Sequence, residues 1–276
     1  MYSTLNINYN PKHHSEVGQL QNKTAMICLC RNKFPPIPLS RIRKLIACWY
    51  PCVALLLTGH GLQLALIPLR AEIMNWDSVA AGVLGSFYFS GFLLGYYSIP
   101  RLVSIIGHIR CFATLNALMT ATILMFALTD SFIIWLIMRF VTGITISGQY
   151  LVIENWLNEQ TKNEVRGGVL ATYTAIVLLA LALGQLLLRF SNLDGGNLFI
   201  IAGALIALAS IPICITPTAQ PTQLSTPIFS PFLVMRTYRA AFFGAMISGI
   251  ITSVFYTLGP VYGLQVGMEI GGIGYM

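Results

Sequence analysis

Seven stretches of this chain are apolar almost without interruption: residues 46–69, 79–99, 111–129, 131–153, 167–188, 197–216 and 239–262. Each is close to the roughly twenty residues that a helix needs to cross a hydrocarbon layer about 30 Å thick. Inside each run the apolar residues occur all the way round, rather than along one face as in a helix lying on a soluble core. In lipid the backbone must satisfy its own hydrogen bonds, so the runs predict transmembrane helices and an all-α integral membrane protein. The first run lies too deep in the chain and is too long to be a cleavable signal peptide.

The breaks between runs divide the chain. Spans three and four are joined by little more than Asp130, which makes them an antiparallel pair. Between spans six and seven lies PTAQPTQLSTPIFSP, whose Pro, Thr and Ser suit a linker rather than a packed element. The expected organisation is a basic cytoplasmic tail at 1–45 without stable structure and a six-helix bundle at 46–216. A cytoplasmic linker follows at 217–238, and residues 239–276 hold a seventh helix and the truncated start of an eighth.

An internal repeat runs through the bundle. AGVLGSFYF (Ala81–Phe89) opens span two and GGVLATYTA (Gly167–Ala175) opens span five. Each follows a long apolar run that ends in an acidic turn with a tryptophan, EIMNWD in one case and ENWLNE in the other. Helices one to three then repeat as four to six, and the odd number of spans inverts one copy relative to the other.

Composition strengthens the membrane reading. Apolar residues make up 56% of the chain and charged residues 9%, more apolar surface than a soluble chain of this size can hide. The net charge of +7 resembles a nucleic-acid signal, but its placement does not. Lys12, Lys23, Arg31, Lys33, Arg41, Arg43 and Lys44 precede the first span, opposed only by Glu16, and the aromatics lie mainly in the apolar runs, with only Phe34 among these basic residues. Such a cluster retains that end in the cytoplasm. Arg101, Arg110, Lys162, Arg166, Arg236 and Arg239 fall on the same side, whereas Arg70 and Arg189 share theirs with Glu72, Asp77, Asp130 and Asp194. The N-terminus is therefore expected in the cytoplasm, and nucleic acid is not an expected partner.

No metal or other cofactor is expected. Cys28 and Cys30, with His13 and His14 upstream, do not have zinc-site spacing, and the Asn22-Lys23-Thr24 sequon on a cytoplasmic tail would go unused. No nucleophile–base pair or phosphate loop emerges, so an enzyme is not expected.

Polar residues inside apolar runs are the candidate functional groups. Arg139 lies about eight residues into span four, and helical spacing puts Gly143, Ile146 and Tyr150 on its face, with Thr142 and Gln149 alongside. That face is expected to line a cavity, or to let Arg139 reach headgroups or tie two helices. In span one, His60 and Gln63 share a face, suited to solute or proton binding or to a helix-to-helix hydrogen bond. Gly91 and Gly95 in span two have the spacing of close helix packing. Glu154 and Arg166 flank the loop between spans four and five and could form a cytoplasmic latch or a plain surface ion pair.

With these residues placed, the chain resembles the major facilitator superfamily of secondary transporters, in a poorly characterised bacterial branch. The resemblance is carried by LIPLRAEI, GSFYFSGFLLG, GHIRCFATL, MRFVTGITISG, ENWLNEQT, RGGVLATY and FYTLGPVY, from about residue 46 onward. It implies a six-helix facilitator-type N-terminal half of 3+3 inverted repeats, plus a seventh transmembrane helix, in a bacterial inner membrane. It also implies transport of a small solute by alternating access, with proton coupling, through a cavity lined by helices one, four and seven. His60, Gln63, Arg139, Gly143, Tyr150 and Tyr256 are then the candidate cavity residues. Two departures stand out. The segment Gly95–Arg110 lacks the aspartate usual between helices two and three, and the chain ends where an eighth helix should begin. The expected partners are the bilayer, a solute, and a complementary C-terminal half or a second copy. The alternative is a truncated product or membrane interaction subunit that transports nothing.

Overall fold

The computed structural model describes residues 39–161, 163, 165–190, 196–215, 235–268 and 272. The basic tail with its Cys and His residues, most of the 217–238 linker and the expected start of an eighth helix lie outside the described residues. Every element described is helical. The helices are α1 (Leu39–Ile73), α2 (Ser78–Ile106), α3 (His108–Leu128), α4 (Phe132–Gln160), α5 (Arg166–Leu186), α6 (Asn197–Ile215) and α7 (Arg239–Gln265). A short 3₁₀ turn, Leu187–Phe190, extends α5.

Seven of these are long and apolar enough to cross a membrane, as the hydropathy pattern predicts. Several overrun the predicted spans. Apolarity marks the part a bilayer would cover, whereas the hydrogen-bond ladder continues until the sequence stops it. At α2 the stop is Gly107, whose φ of 84° lies in the left-handed region that glycine enters without penalty. α2 continues through Pro100, and α1 through Pro51 and Pro68.

The inverted repeat governs the packing. α2 lies against α4, α3 against α4 and α6, and α1 against α5 and α6. Glycines set the two tightest joints. A Cβ added to Gly143 would run into the Tyr88 carbonyl and the Phe92 amide of α2; one added to Gly91 would meet the Phe140 carbonyl of α4. In the other half, a Cβ on Gly61 of α1 would strike the backbone of Leu181, and one on Gly184 of α5 that of Thr58 and Leu62. The register that sets Glu72 on Glu154 also sets Gly61 on Gly143, so each repeat uses the same glycine for the same purpose.

The four tryptophans of the chain follow the same symmetry. Trp76, in the turn after α1, packs edge-on against Trp135 at the start of α4, with ring centres 5.1 Å apart. Trp156, near the end of α4, stacks on Trp49 near the start of α1 at 4.4 Å. One pair closes each end of the bundle, the first joined by Phe132, Phe126 and Phe199, the second by Phe112.

α7 stands at the side of α2, with most of its surface exposed. Gly85 leaves room for the Thr257 side chain, and Gln265 donates to Glu72 Oε1 at 3.2 Å. That contact brings the C-terminal ends of α1 and α7 to the same end of the bundle.

Candidate functional site

The polar side chains of α1, α2 and α4 meet in the interior. Arg139 is 2% exposed, the one buried Lys or Arg among the described side chains. Its Cζ lies 4.8 Å from the centre of the Tyr88 ring, a cation–π contact. The Tyr88 hydroxyl shares a hydrogen bond with His60 Nε2 at 3.2 Å, and the two rings lie nearly parallel. One turn along α1, Gln63 Nε2 donates to Thr142 Oγ1 at 3.4 Å, and that hydroxyl donates to the Met138 carbonyl at 2.7 Å. A line of polar groups therefore runs from α4 through α2 to α1.

Backbone geometry holds this line in place. Because Gly143 admits the Tyr88 carbonyl, α2 and α4 come close enough for the Tyr88 ring to cover the guanidinium one turn away. Gly143 thus packs helix on helix and positions Tyr88, rather than presenting a surface of its own. Arg139 Nε and Nη1 remain without hydrogen-bond partners, while the His60 and Gln63 side chains, one turn apart on α1, approach each other without closing a hydrogen bond. Buried polar groups are normally satisfied, and Arg139 is the one buried Lys or Arg that departs from this among the described residues.

The remaining candidates fall into three positions. Tyr150 and Tyr256 are half-buried, and Tyr150 lies within electrostatic reach of Tyr88, Tyr173, Tyr256 and Glu154. Gln149 turns away: it donates to Asn116 Oδ1 at 3.0 Å, and Asn116 in turn donates to the Ile206 carbonyl and the Ser210 hydroxyl of α6. Gln149 and Asn116 therefore tie α4, α3 and α6 together. Glu154 and Arg166 are not brought together. Arg166 Nη2 donates to the carbonyls of Asn158 and Thr161 at 3.4 and 3.5 Å, while Glu154 is exposed and approaches the Tyr173 hydroxyl without closing a hydrogen bond.

The sequence reading did not single out Tyr88, which links Arg139 to His60, or Tyr173, which lies beside Glu154. Both lie in the repeated segments, AGVLGSFYF and GGVLATYTA, where a tyrosine reads as one more aromatic in an apolar run. For Tyr88 the available signal was Gly85 and Gly91, three residues to either side.

The family model of the Major Facilitator Superfamily matches residues 49–276. This chain belongs to the major facilitator superfamily. Its relatives include an uncharacterized MFS-type transporter of Yersinia pestis (strain Pestoides F), 28% identical over 214 residues, covering 76% of this chain and 55% of that protein. Another is the uncharacterized MFS-type transporter YcaD of Salmonella newport (strain SL254), 29% identical over 229 residues, covering 81% of this chain and 59% of that one. The chain thus spans a little over half the length of these relatives.

Among solved structures, a mutant of the nucleoside transporter NupG superposes with a TM-score of 0.68 at 12% identity, over 84% of this chain and 63% of that one. A bacterial homolog of the human lysosomal transporter Spinster, inward-facing and unoccupied, gives 0.63 at 16% identity, over 85% and 58%. At such identities the likeness is one of fold: this superfamily member has the facilitator helix arrangement.

Proposed function

We propose that this chain carries the solute-binding face of a secondary transporter of the bacterial inner membrane, moving a small solute by alternating access coupled to a proton. The N-terminus lies in the cytoplasm. The observation that carries this reading is the buried line Arg139–Tyr88–His60, with unpartnered nitrogens on Arg139, inside a facilitator-type bundle. A charge held at membrane depth is costly and is kept where it faces a pathway. His60, Gln63, Tyr150 and Tyr256 are the proposed lining residues, Arg139 the central one, and Gly143 the residue that lets α2 and α4 approach. His60 is the proposed proton carrier, being the one imidazole on the line. Glu154 and Arg166 border the cytoplasmic end, Arg166 bonded to the Asn158 and Thr161 carbonyls and Glu154 near Tyr173.

A second reading, a membrane interaction subunit that moves no solute, is favoured by α7, whose apolar side chains Ile247, Ile250, Ile251, Val254 and Phe255 all face outward. Both readings place the chain in a bilayer with a complementary half or second copy as the candidate partner, and neither involves catalysis.

Proteoliposomes containing the full chain and a trapped pH dye separate the two. Pooled sugars, amino acids, carboxylates and nucleosides are added outside. Solute-driven proton flux that disappears in Arg139→Ala supports the transporter. Flux from none of the pools, with the chain shown to be inserted, leaves the interaction subunit.

A further inference from the structure

We propose that the polar face on α1, α2 and α4 takes a small solute bearing a single negative charge, whose carboxylate docks on Arg139. The proposal rests on reading that face as a solute site and names the class of solute.

The guanidinium is charged at any physiological pH and is almost wholly buried, yet its Nε and Nη1 have no hydrogen-bond partner. The Tyr88 ring offers its negative face and no lone pair in the guanidinium plane. No carboxylate is at hand. Among the described residues every Asp and Glu lies in a connection or in the last two turns of a helix: Glu72, Asp77, Asp130, Glu154 and Glu159. Glu154 is fifteen residues along α4 from Arg139, about 22 Å at 1.5 Å per residue. A buried cation without a counter-ion is a standing cost, and an anion that enters relieves it.

The shape and number of the free groups narrow the anion. A guanidinium presents a planar fork that matches the two oxygens of a carboxylate. With one buried positive charge, a monoanion leaves the site neutral, whereas a dianion would leave one charge uncompensated. Beside the fork, His60 and Gln63 offer polar edges for a short polar substituent, and Tyr150 and Tyr256 suit an apolar body. A carboxylate side chain from a second copy of the chain has the same headgroup chemistry, and the experiment separates the two sources.

The full chain is purified in detergent, and thermal unfolding is followed by tryptophan fluorescence at fixed pH and ionic strength. Acetate, lactate and benzoate are each compared with the corresponding amide, and succinate with its monomethyl ester. The expected result is a rise in Tm of a few degrees with at least one monocarboxylate and none with its amide, because only a ligand of the folded state shifts the midpoint. Succinate should do no better than its monoester. Arg139→Met, which removes the unpartnered charge, should fold and lose the shift; Arg139→Lys should keep a smaller one, and Arg101→Gln at the surface all of it.

Equal shifts from acid and amide, no shift from any carboxylate, or a shift that survives Arg139→Met would overturn the proposal. So would a Tm that rises with protein concentration in the wild type, but not in Arg139→Met, without response to solute: the carboxylate would then belong to a second copy. A carboxylate that binds without crossing proteoliposomes would sink the transport reading and leave this one. Arg139-dependent movement of a neutral solute would do the reverse.

Discussion

The backbone of α2 passes so close to Gly143 that any side chain there would collide with the Tyr88 carbonyl, and Tyr88 is the residue whose ring covers Arg139. Packing and chemistry are therefore coupled at one point. Substituting Gly143 should do more than destabilise the fold. Gly143→Val should cost about 1–3 kcal/mol or more, since the colliding atoms are backbone and cannot turn aside. It should also displace the Tyr88 ring. Gly82→Ala is the matched control: a Cβ there meets nothing, and helix propensity should contribute about 0.5–1 kcal/mol of stability. Unfolding in mixed micelles measures both, and equal effects of the two substitutions would contradict the packing described.

Tyr88 makes two separable interactions. Tyr88→Phe keeps a ring over the guanidinium but loses the bond to His60, an expected loss of about 0.5–1.5 kcal/mol. Tyr88→Leu removes both and leaves Arg139 with no partner among the described residues, so its cost should exceed that of Tyr88→Phe by about 1–2 kcal/mol. Combining Tyr88→Leu with Arg139→Met should recover most of that excess. If the double variant is no better than Tyr88→Leu alone, the cation–π contact carries no weight.

Asn116 and Gln149 form a polar tie across α3, α4 and α6. Asn116→Leu strands the Gln149 amide in the interior and should cost about 1–3 kcal/mol. Adding Gln149→Leu should return part of that loss, because two apolar groups no longer compete for a missing partner. Neither change should affect an Arg139-dependent solute response, which a thermal-shift measurement reads directly.

The two tryptophan pairs should behave alike. A double-mutant cycle on Trp49 and Trp156, each replaced by Leu, should give a coupling of about 0.5–1.5 kcal/mol. A cycle on Trp76 and Trp135 should give a value of similar size. A coupling confined to one pair would show that the repeat preserves the residues but not their energetic role.

Much of the fold was legible in the sequence, because lipid imposes a single strong rule: long apolar runs must be helices. The seven spans follow from that rule, and the repeat of helices one to three as four to six reappears in the matched glycines Gly61 and Gly143 of α1 and α4. The rotation of side chains within a span was less legible. A helix that is apolar on every face does not announce which neighbour each polar residue will meet. Gln149 is about 80° round α4 from Arg139 at 100° per residue, near enough to share a face on paper. In the bundle that angle is the difference between meeting Tyr88 of α2 and meeting Asn116 of α3. Tyr88 was hidden for the related reason that its significance depends on Arg139, in another helix.

Gly61 and Gly143 hold the same place in the two repeats, yet the position four residues earlier differs: Arg139 in α4 and buried Leu57 in α1. A doubled scaffold has kept its joints and let one copy become charged. The polarity of this bundle is thus a departure from its own symmetry, and the reciprocal exchange, Leu57→Arg with Arg139→Leu, asks whether the duplicated frame accepts the charge from either side.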